Sequence, residues 1–176
     1  MRIFISGVHG VGKSFLCDQF IKLNNNFIHL SSSELISSVR RKSWDDNKIV
    51  LTPEENQSAL LQELETYNNK NILLDGHFCL IGKNNEIVQL DHSIYDKMKL
   101  SAIILLENDI NIIEERFEKR NAEILFSLTE LIKKERENAI KASKTYNIRL
   151  EIINSNDIDY FNGMINNIYS NQKNEH

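Results

Sequence analysis

The residues from Gly7 to Ser14, Gly-Val-His-Gly-Val-Gly-Lys-Ser, satisfy the spacing GxxxxGK[ST], and no other stretch constrains the chain as tightly. Such a run works only where a strand ends before it and a helix opens within it. Both conditions are met. Arg2–Ser6 is a short apolar run, and Leu16, Phe20 and Leu23 recur at helical spacing just after it. Glycines let the backbone turn tightly and aim successive N–H groups at one point. The positive end of the helix that begins at Lys13 reinforces that point. An ammonium at Lys13 can reach β- and γ-phosphates, and a hydroxyl at Ser14 suits Mg²⁺. From the chain's own composition, a chance match has odds on the order of one in 500. Gly7, His9, Gly10, Val11, Gly12, Lys13, Ser14 and Phe15 therefore form the candidate cup for a nucleoside triphosphate, with His9 a solvent-facing variable position.

The 176 residues suffice for one domain with a substantial core, and residues 1–176 are read as a single unit. A hydrophobic fraction of 41% and a charged fraction of 26% fit a globular chain. No apolar stretch approaches the roughly 18 residues that cross a bilayer, and Ile3-Phe4-Ile5 is too short for a secretory core, so a cytoplasmic location without membrane contact is expected. A net charge of −4 offers no broad attraction to nucleic acid. Cys17 and Cys79 stand in apolar surroundings and read as buried free thiols.

Short apolar runs at Arg2–Ser6, Phe27–Leu30, Asn71–Asp75, Ser101–Glu107 and Arg149–Ile153 read as strands buried on both faces. Between them lie amphipathic stripes: Leu60, Leu64 and Tyr67; Ile110, Ile113 and Phe117; Ile124, Leu128, Leu131 and Ile132; and Ile158, Phe161, Ile165 and Ile168. This alternation predicts an α/β fold with helices on both faces and a ligand beyond the carboxyl ends of the strands.

Residues at strand ends thus carry the chemistry. Asp75 closes the apolar run Ile72-Leu73-Leu74 and can hold the shell of a Mg²⁺ ion opposite Ser14. Hydrolytic motor and AAA-type ATPases place a glutamate next, to polarise water. Here Gly76 follows, which favours transfer to a bound acceptor, and His77 stands in position to orient that acceptor.

Residues 31–69 read as a two-helix insert that binds the acceptor. It starts at Ser31-Ser32-Ser33-Glu34, carries Arg40 and Arg41, and opens its second helix at Pro53. Ser33, Arg40 and Arg41 are the candidate acceptor contacts. Further on, Arg116 and Arg120 are like charges one turn apart, an arrangement that an intervening anion would relieve. They are candidates for neutralising a moving phosphoryl group, with residues 116–123 as a short lid.

Taken together, GVHGVGKS, the insert, LLDGH at 73–77, SAIILLENDINIIEERFEKR at 101–120, LIKKERENAIKAS at 131–143 and the late strand resemble the archaeal-type adenylate kinases and the wider nucleotide-kinase group of P-loop proteins. The resemblance implies a three-layer α/β/α P-loop NTPase fold with a five-stranded parallel sheet in the order 2-3-1-4-5. It implies ATP and Mg²⁺ at Lys13, Ser14 and Asp75, a histidine role at His77, and lid arginines at Arg116 and Arg120. The acceptor would be a nucleoside monophosphate, AMP first. Two departures stand out: Phe15 occupies a place where these kinases carry Thr or Ser, and Ser-Ser-Ser-Glu replaces a Gly-Asp pair. The competing functions are a nucleotide-dependent switch or accessory ATPase acting on a protein or RNA partner, and a kinase of a small metabolite.

Overall fold

A computed structural model of the protein describes residues 1–44, 53–82, 84–91, 93–120 and 124–174. Five strands, β1 (Arg2–Ser6), β2 (Phe27–Ser31), β3 (Asn71–Asp75), β6 (Ala102–Glu107) and β7 (Arg149–Asn154), form one parallel sheet in the order β2-β3-β1-β6-β7. Counted along this sheet alone, that is the expected 2-3-1-4-5. The higher labels arise because a small antiparallel hairpin, β4 (Cys79–Ile81) and β5 (Ile87–Gln89), intervenes. Nothing in the sequence pattern announces it: three-residue strands are too short for a period-2 signal. Its turn depends instead on Asn85 at φ 61°, with Gly82 N–H donating to the Glu86 carbonyl at 2.8 Å.

The buried character of each strand follows its place in the sheet. β1 is buried at every position and lies between β3 and β6, whereas the edge strands β2 and β7 are partly open. The helices are α1 (Lys13–Leu23), α2 (Ser32–Trp44), α3 (Pro53–Glu65), α4 (Ser93–Lys97), α5 (Ile110–Glu118), α6 (Leu128–Tyr146) and α7 (Ile158–Asn174). Right-handed crossovers decide which face each covers. The β1-to-β2 connection moves one way along the sheet and the β6-to-β7 connection the other, so α1 and α6 lie on opposite faces. Aromatic packing agrees. Phe20 of α1 meets Phe27 at 5.1 Å and Phe161 of α7 at 6.4 Å between ring centroids. On the other face, Phe4 meets Phe78 at 5.4 Å and Phe78 meets Tyr95 of α4 at 4.5 Å. Both cysteines are buried free thiols, as expected.

Two stripe residues fall outside the core. Leu23 is 78% exposed, because α1 ends there and the chain leaves at Asn24; Ile158, 38% exposed, is the first residue of α7. A helical stripe predicts facing, and it fails where the helix terminates. Arg2 goes the other way, for it is buried at the start of β1 with no carboxylate partner described. Its Nη1 donates to the Met98 carbonyl at 2.9 Å, and its Nη2 to the Leu64 carbonyl at 2.8 Å and Asn68 Oδ1 at 2.6 Å. The guanidinium thus ties the end of α3 to the central strand.

Arg2→Met keeps the packing volume and strands these acceptors. It is expected to cost about 2–4 kcal/mol, read as a fall in Tm of roughly 5–15 °C. An unchanged melting curve would show that the acceptors are satisfied without it.

Candidate active site

The loop from Gly7 to Gly12 holds its shape through three glycines at positive φ, of 140°, 80° and 111° for Gly7, Gly10 and Gly12. At Gly7 the requirement is also steric, since a Cβ would lie 2.6 Å from the Leu106 carbonyl oxygen. Four carbonyls of the turn meet a cation. Lys13 Nζ donates to the carbonyls of Gly7 at 2.7 Å and Val8 at 3.2 Å. Arg116, reaching over from α5, donates through Nη1 to the carbonyls of Gly10 at 2.9 Å and Val11 at 2.8 Å. No side chain caps the start of α1. An uncapped helix N-terminus inside such a turn suits an anion.

Lys13 is only 7% exposed. Burial pulls its pKa down to about 8, against the opposing pull of Glu135 and Asp75. Ser14 Oγ donates to Asp75 Oδ2 at 2.9 Å. Two hard oxygen donors side by side at a phosphate cup fit Mg²⁺, which takes one or two protein oxygens and completes its shell with phosphate and water. Among the described residues no group of three or more His, Cys, Asp or Glu could hold a metal ion.

Gly76 follows Asp75, and its missing side chain is dictated by packing. A Cβ there would sit 2.6 Å and 2.8 Å from atoms of the Phe4 ring and 2.9 Å from Ser32 Oγ. The hydrolytic glutamate of motor ATPases therefore has no room. His77 turns its ring onto that of His9, with centroids 4.0 Å apart. Both imidazoles are held below the ordinary histidine range, His77 far below it. Loss of water is the first cause in each; Lys13 and His9 add to it at His77, Lys13 and Arg120 at His9. His9 is exposed, and its ring also packs on that of His77 at the cup's edge.

The remaining expected residues divide. Arg116 reaches the loop, but Arg120 lies beyond the end of α5 and is exposed, while Lys119 pairs with Glu115 at 3.6 Å. Residues 121–123 of the expected lid lie outside the described residues. Phe15 points outward at 56% exposure. Ser33 bonds Ser31 Oγ at 3.0 Å, and Ser32 Oγ donates to the Asp75 carbonyl at 2.8 Å. Ser31 itself ends β2, in register with Asp75, so the insert begins without any loop. Arg40 and Arg41 lie in α2, and their side chains fall outside the described residues.

Three site residues escaped the sequence reading. His29 of β2 approaches Asp75 Oδ2 with Nε2 at 2.7 Å and Asp18 Oδ1 with Nδ1 at 2.7 Å. Both nitrogens face carboxylate oxygens, which only accept, so the ring donates at each end. Burial lowers its pKa, the two carboxylates more than reverse this, and the net shift is upward; Asp75 is correspondingly held low, against its own burial. Glu135, 2% exposed on α6, accepts from the N–H groups of Gly7 at 3.1 Å, Phe78 at 2.9 Å and Cys79 at 2.8 Å. Its pKa is raised by burial despite those donors. One signal for Glu135 was available: it stands four residues after Leu131 and four before Ala139, a carboxylate on an apolar stripe.

A family model described as AAA domain matches residues 6–124, from the end of β1 through the phosphate loop to the expected lid. The chain belongs to the AAA domain family. Within this AAA domain the glycine at position 76 stands where the hydrolytic glutamate of motor ATPases would be. Among solved structures, a gluconokinase from Sinorhizobium meliloti 1021 superposes with a TM-score of 0.58 at 16% identity, covering 99% of this chain and 97% of that one. An uncharacterized protein from Eubacterium ventriosum ATCC 27560 superposes with a TM-score of 0.52 at 12% identity, covering 97% of this chain and 98% of that one. At these identities the likeness establishes a shared P-loop fold over the whole chain. No curated protein matches it in sequence. No helix among the described residues is long and apolar enough to cross a membrane.

Two measurements bear on this site. A polyphosphate favours the ammonium of Lys13, while the free protein releases that proton from about pH 8 upward. Affinity for Mg·ATP is therefore expected to fall as pH rises from about 8 toward 10. At pH 8, calorimetry in buffers of different ionisation enthalpy should report uptake of about half a proton on binding. A pH-independent affinity without proton uptake would remove Lys13 from the phosphate contact. Separately, Gly76→Ala is expected to cost about 1–3 kcal/mol by overpacking against Phe4. Gly76→Glu should lower stability without raising acceptor-free ATP hydrolysis; a faster hydrolase would show that space for the base exists.

Proposed function

We propose that this AAA domain is a phosphotransferase that moves the γ-phosphoryl group of Mg-ATP to a small acceptor held beside the insert formed by α2 and α3. The observation that carries this is the pair Ser14–Asp75 at 2.9 Å beside an uncapped helix start, followed by a position packed too tightly for a hydrolytic base.

The phosphate loop and Lys13 bind and orient the triphosphate, and Ser14 and Asp75 would hold the Mg²⁺. That cation, when bound, offsets charge on the β- and γ-oxygens. Lys13 needs no proton transfer; its charge is stabilising where negative charge gathers during transfer. Arg116 braces the loop from outside, and Arg120 supplies further positive charge near His9. His77 and His9 present neutral rings at the edge of the cup, and Phe4 beneath Gly76 fills space that a water would otherwise take. Transfer of this kind depends on positioning and water exclusion more than on a protein nucleophile.

The acceptor is read first as a nucleoside monophosphate, AMP foremost, with Ser33, Arg40 and Arg41 of the insert as its contacts and residues 116–123 as the lid. This rests on the order of the motifs along the chain. A small hydroxylated metabolite is the second reading. It is favoured by the described acceptor side, which offers the serines Ser31, Ser32 and Ser33 and the carboxylate Glu34, and by a structural neighbour named as a gluconokinase.

An ADP-release assay across nucleoside monophosphates, sugar acids and small polyols tests both readings. One acceptor class should raise ADP formation at least tenfold over the acceptor-free rate, on the order of the smallest positioning effects. Lys13→Ala should remove roughly 10²–10³ of kcat/KM. Equal ADP formation with every acceptor and with none, and stimulation by a protein or RNA partner instead, would replace the kinase with a nucleotide-dependent switch.

A further inference from the structure

The carboxylate that the phosphotransferase reading gives to the cation is held from behind. Ser14 Oγ donates to Asp75 Oδ2 at 2.9 Å; His29 Nε2 meets the same oxygen at 2.7 Å, and His29 Nδ1 meets Asp18 Oδ1 at 2.7 Å. These four residues close a ring through α1, β3, β2 and α1 again. Asp18 stands one helical turn after Ser14, so both ends of the ring share a helix face.

A carboxylate torsion is broad, and a solvent-exposed serine hydroxyl is a rotor, so the pair Ser14–Asp75 does not fix itself. His29 is different. Its side chain is 12% exposed, its plane is rigid, and both nitrogens are bonded. With both nitrogens engaged it has none left for a substrate, which excludes catalysis by contact.

We propose that His29, oriented by Asp18, is a positioning residue that sets the Asp75 carboxylate for Mg²⁺ before the nucleotide arrives. The inference rests on the reading of Ser14 and Asp75 as the cation pair. Both contacts take Oδ2, so Oδ1 lies outside this ring of bonds. Asp18, 55% exposed, does for the imidazole what outer carboxylates do for metal-binding histidines, where losing the outer partner lowers metal affinity about 10–100-fold.

The test uses double substitutions that delete the bonds while removing one acidic and one basic group together, and one single substitution that deletes the outer bond alone. Binding of ATP to the full chain is measured calorimetrically across a Mg²⁺ titration and again in EDTA, for wild type, Asp18→Ala, Asp18→Ala/His29→Ala and Asp18→Ala/His29→Gln. The alanine double variant is expected to need about 10–100-fold more Mg²⁺ for half-maximal tightening, with its affinity in EDTA unchanged. Glutamine, which restores one donor toward Asp75, should recover part of the shift. Asp18→Ala removes a largely solvated side chain, and with it the acceptor of His29 Nδ1, and leaves the fold intact. It should move the midpoint several-fold, and it decides the matter where a double variant fails to fold. An unmoved Mg²⁺ midpoint in folded variants overturns the inference. So does a parallel loss of affinity in EDTA, which makes His29 structural only. Absence of Mg·ATP binding by wild type defeats the parent reading instead.

Discussion

The turn of the phosphate loop depends on where its carbonyls go. A backbone that points several N–H groups inward must point carbonyls outward, and each needs a donor. Here Lys13 takes those of Gly7 and Val8, and Arg116 those of Gly10 and Val11. Glu135 takes the one N–H, that of Gly7, that lies at the entrance of the turn. Buried charges of both signs thus hold an otherwise glycine-weakened segment. The cost is visible in the displaced pKa values of Lys13 and Glu135, both driven first by desolvation. That cost is also what makes the cup receptive: an incoming polyanion relieves a lysine that burial has made reluctant to stay charged.

The same charges join the loop to its surroundings. Glu135 bonds Gly7 with one oxygen while also accepting from Phe78 and Cys79, so the loop and the turn carrying His77 share one anchor on α6. Arg116 links the loop to α5, and Arg2 links α3, the far helix of the insert, to β1. Helices α5 and α6 therefore reach the loop, and α3 the central strand, each through a buried or half-buried ionic group. Movement in one would be felt by the others through hydrogen bonds of fixed geometry.

How much of this was legible in the sequence follows from the range of each interaction. The sheet was, because β1, β3 and β6 are unbroken apolar runs and each ends at a turn. The phosphate loop and Asp75 were, because their chemistry is written in adjacent residues. The Asp18–His29–Asp75 ring was not: His29 and Asp75 are neighbours only because β2 and β3 pair in the register His29↔Leu73 and Ser31↔Asp75, across 46 positions of sequence. Arg116 was read as free to meet a phosphoryl group, since nothing local shows that its Nη1 meets carbonyls 105 and 106 residues away. Glu135 alone left a trace, a charge at a core position of a helical stripe, which is the kind of local inconsistency that marks a functional or strained site.

Position 76 shows how packing can decide reaction class. The absence of a glutamate after Asp75 could have been a matter of side-chain choice, reversible by one substitution. The Phe4 ring, edge-on to Phe78 and tilted against Tyr95, makes it a matter of volume. Phe4 belongs to the most buried strand, so yielding space at 76 would mean repacking the sheet's own core. A side chain at 76 is thereby kept out by the same aromatic cluster that stabilises the fold.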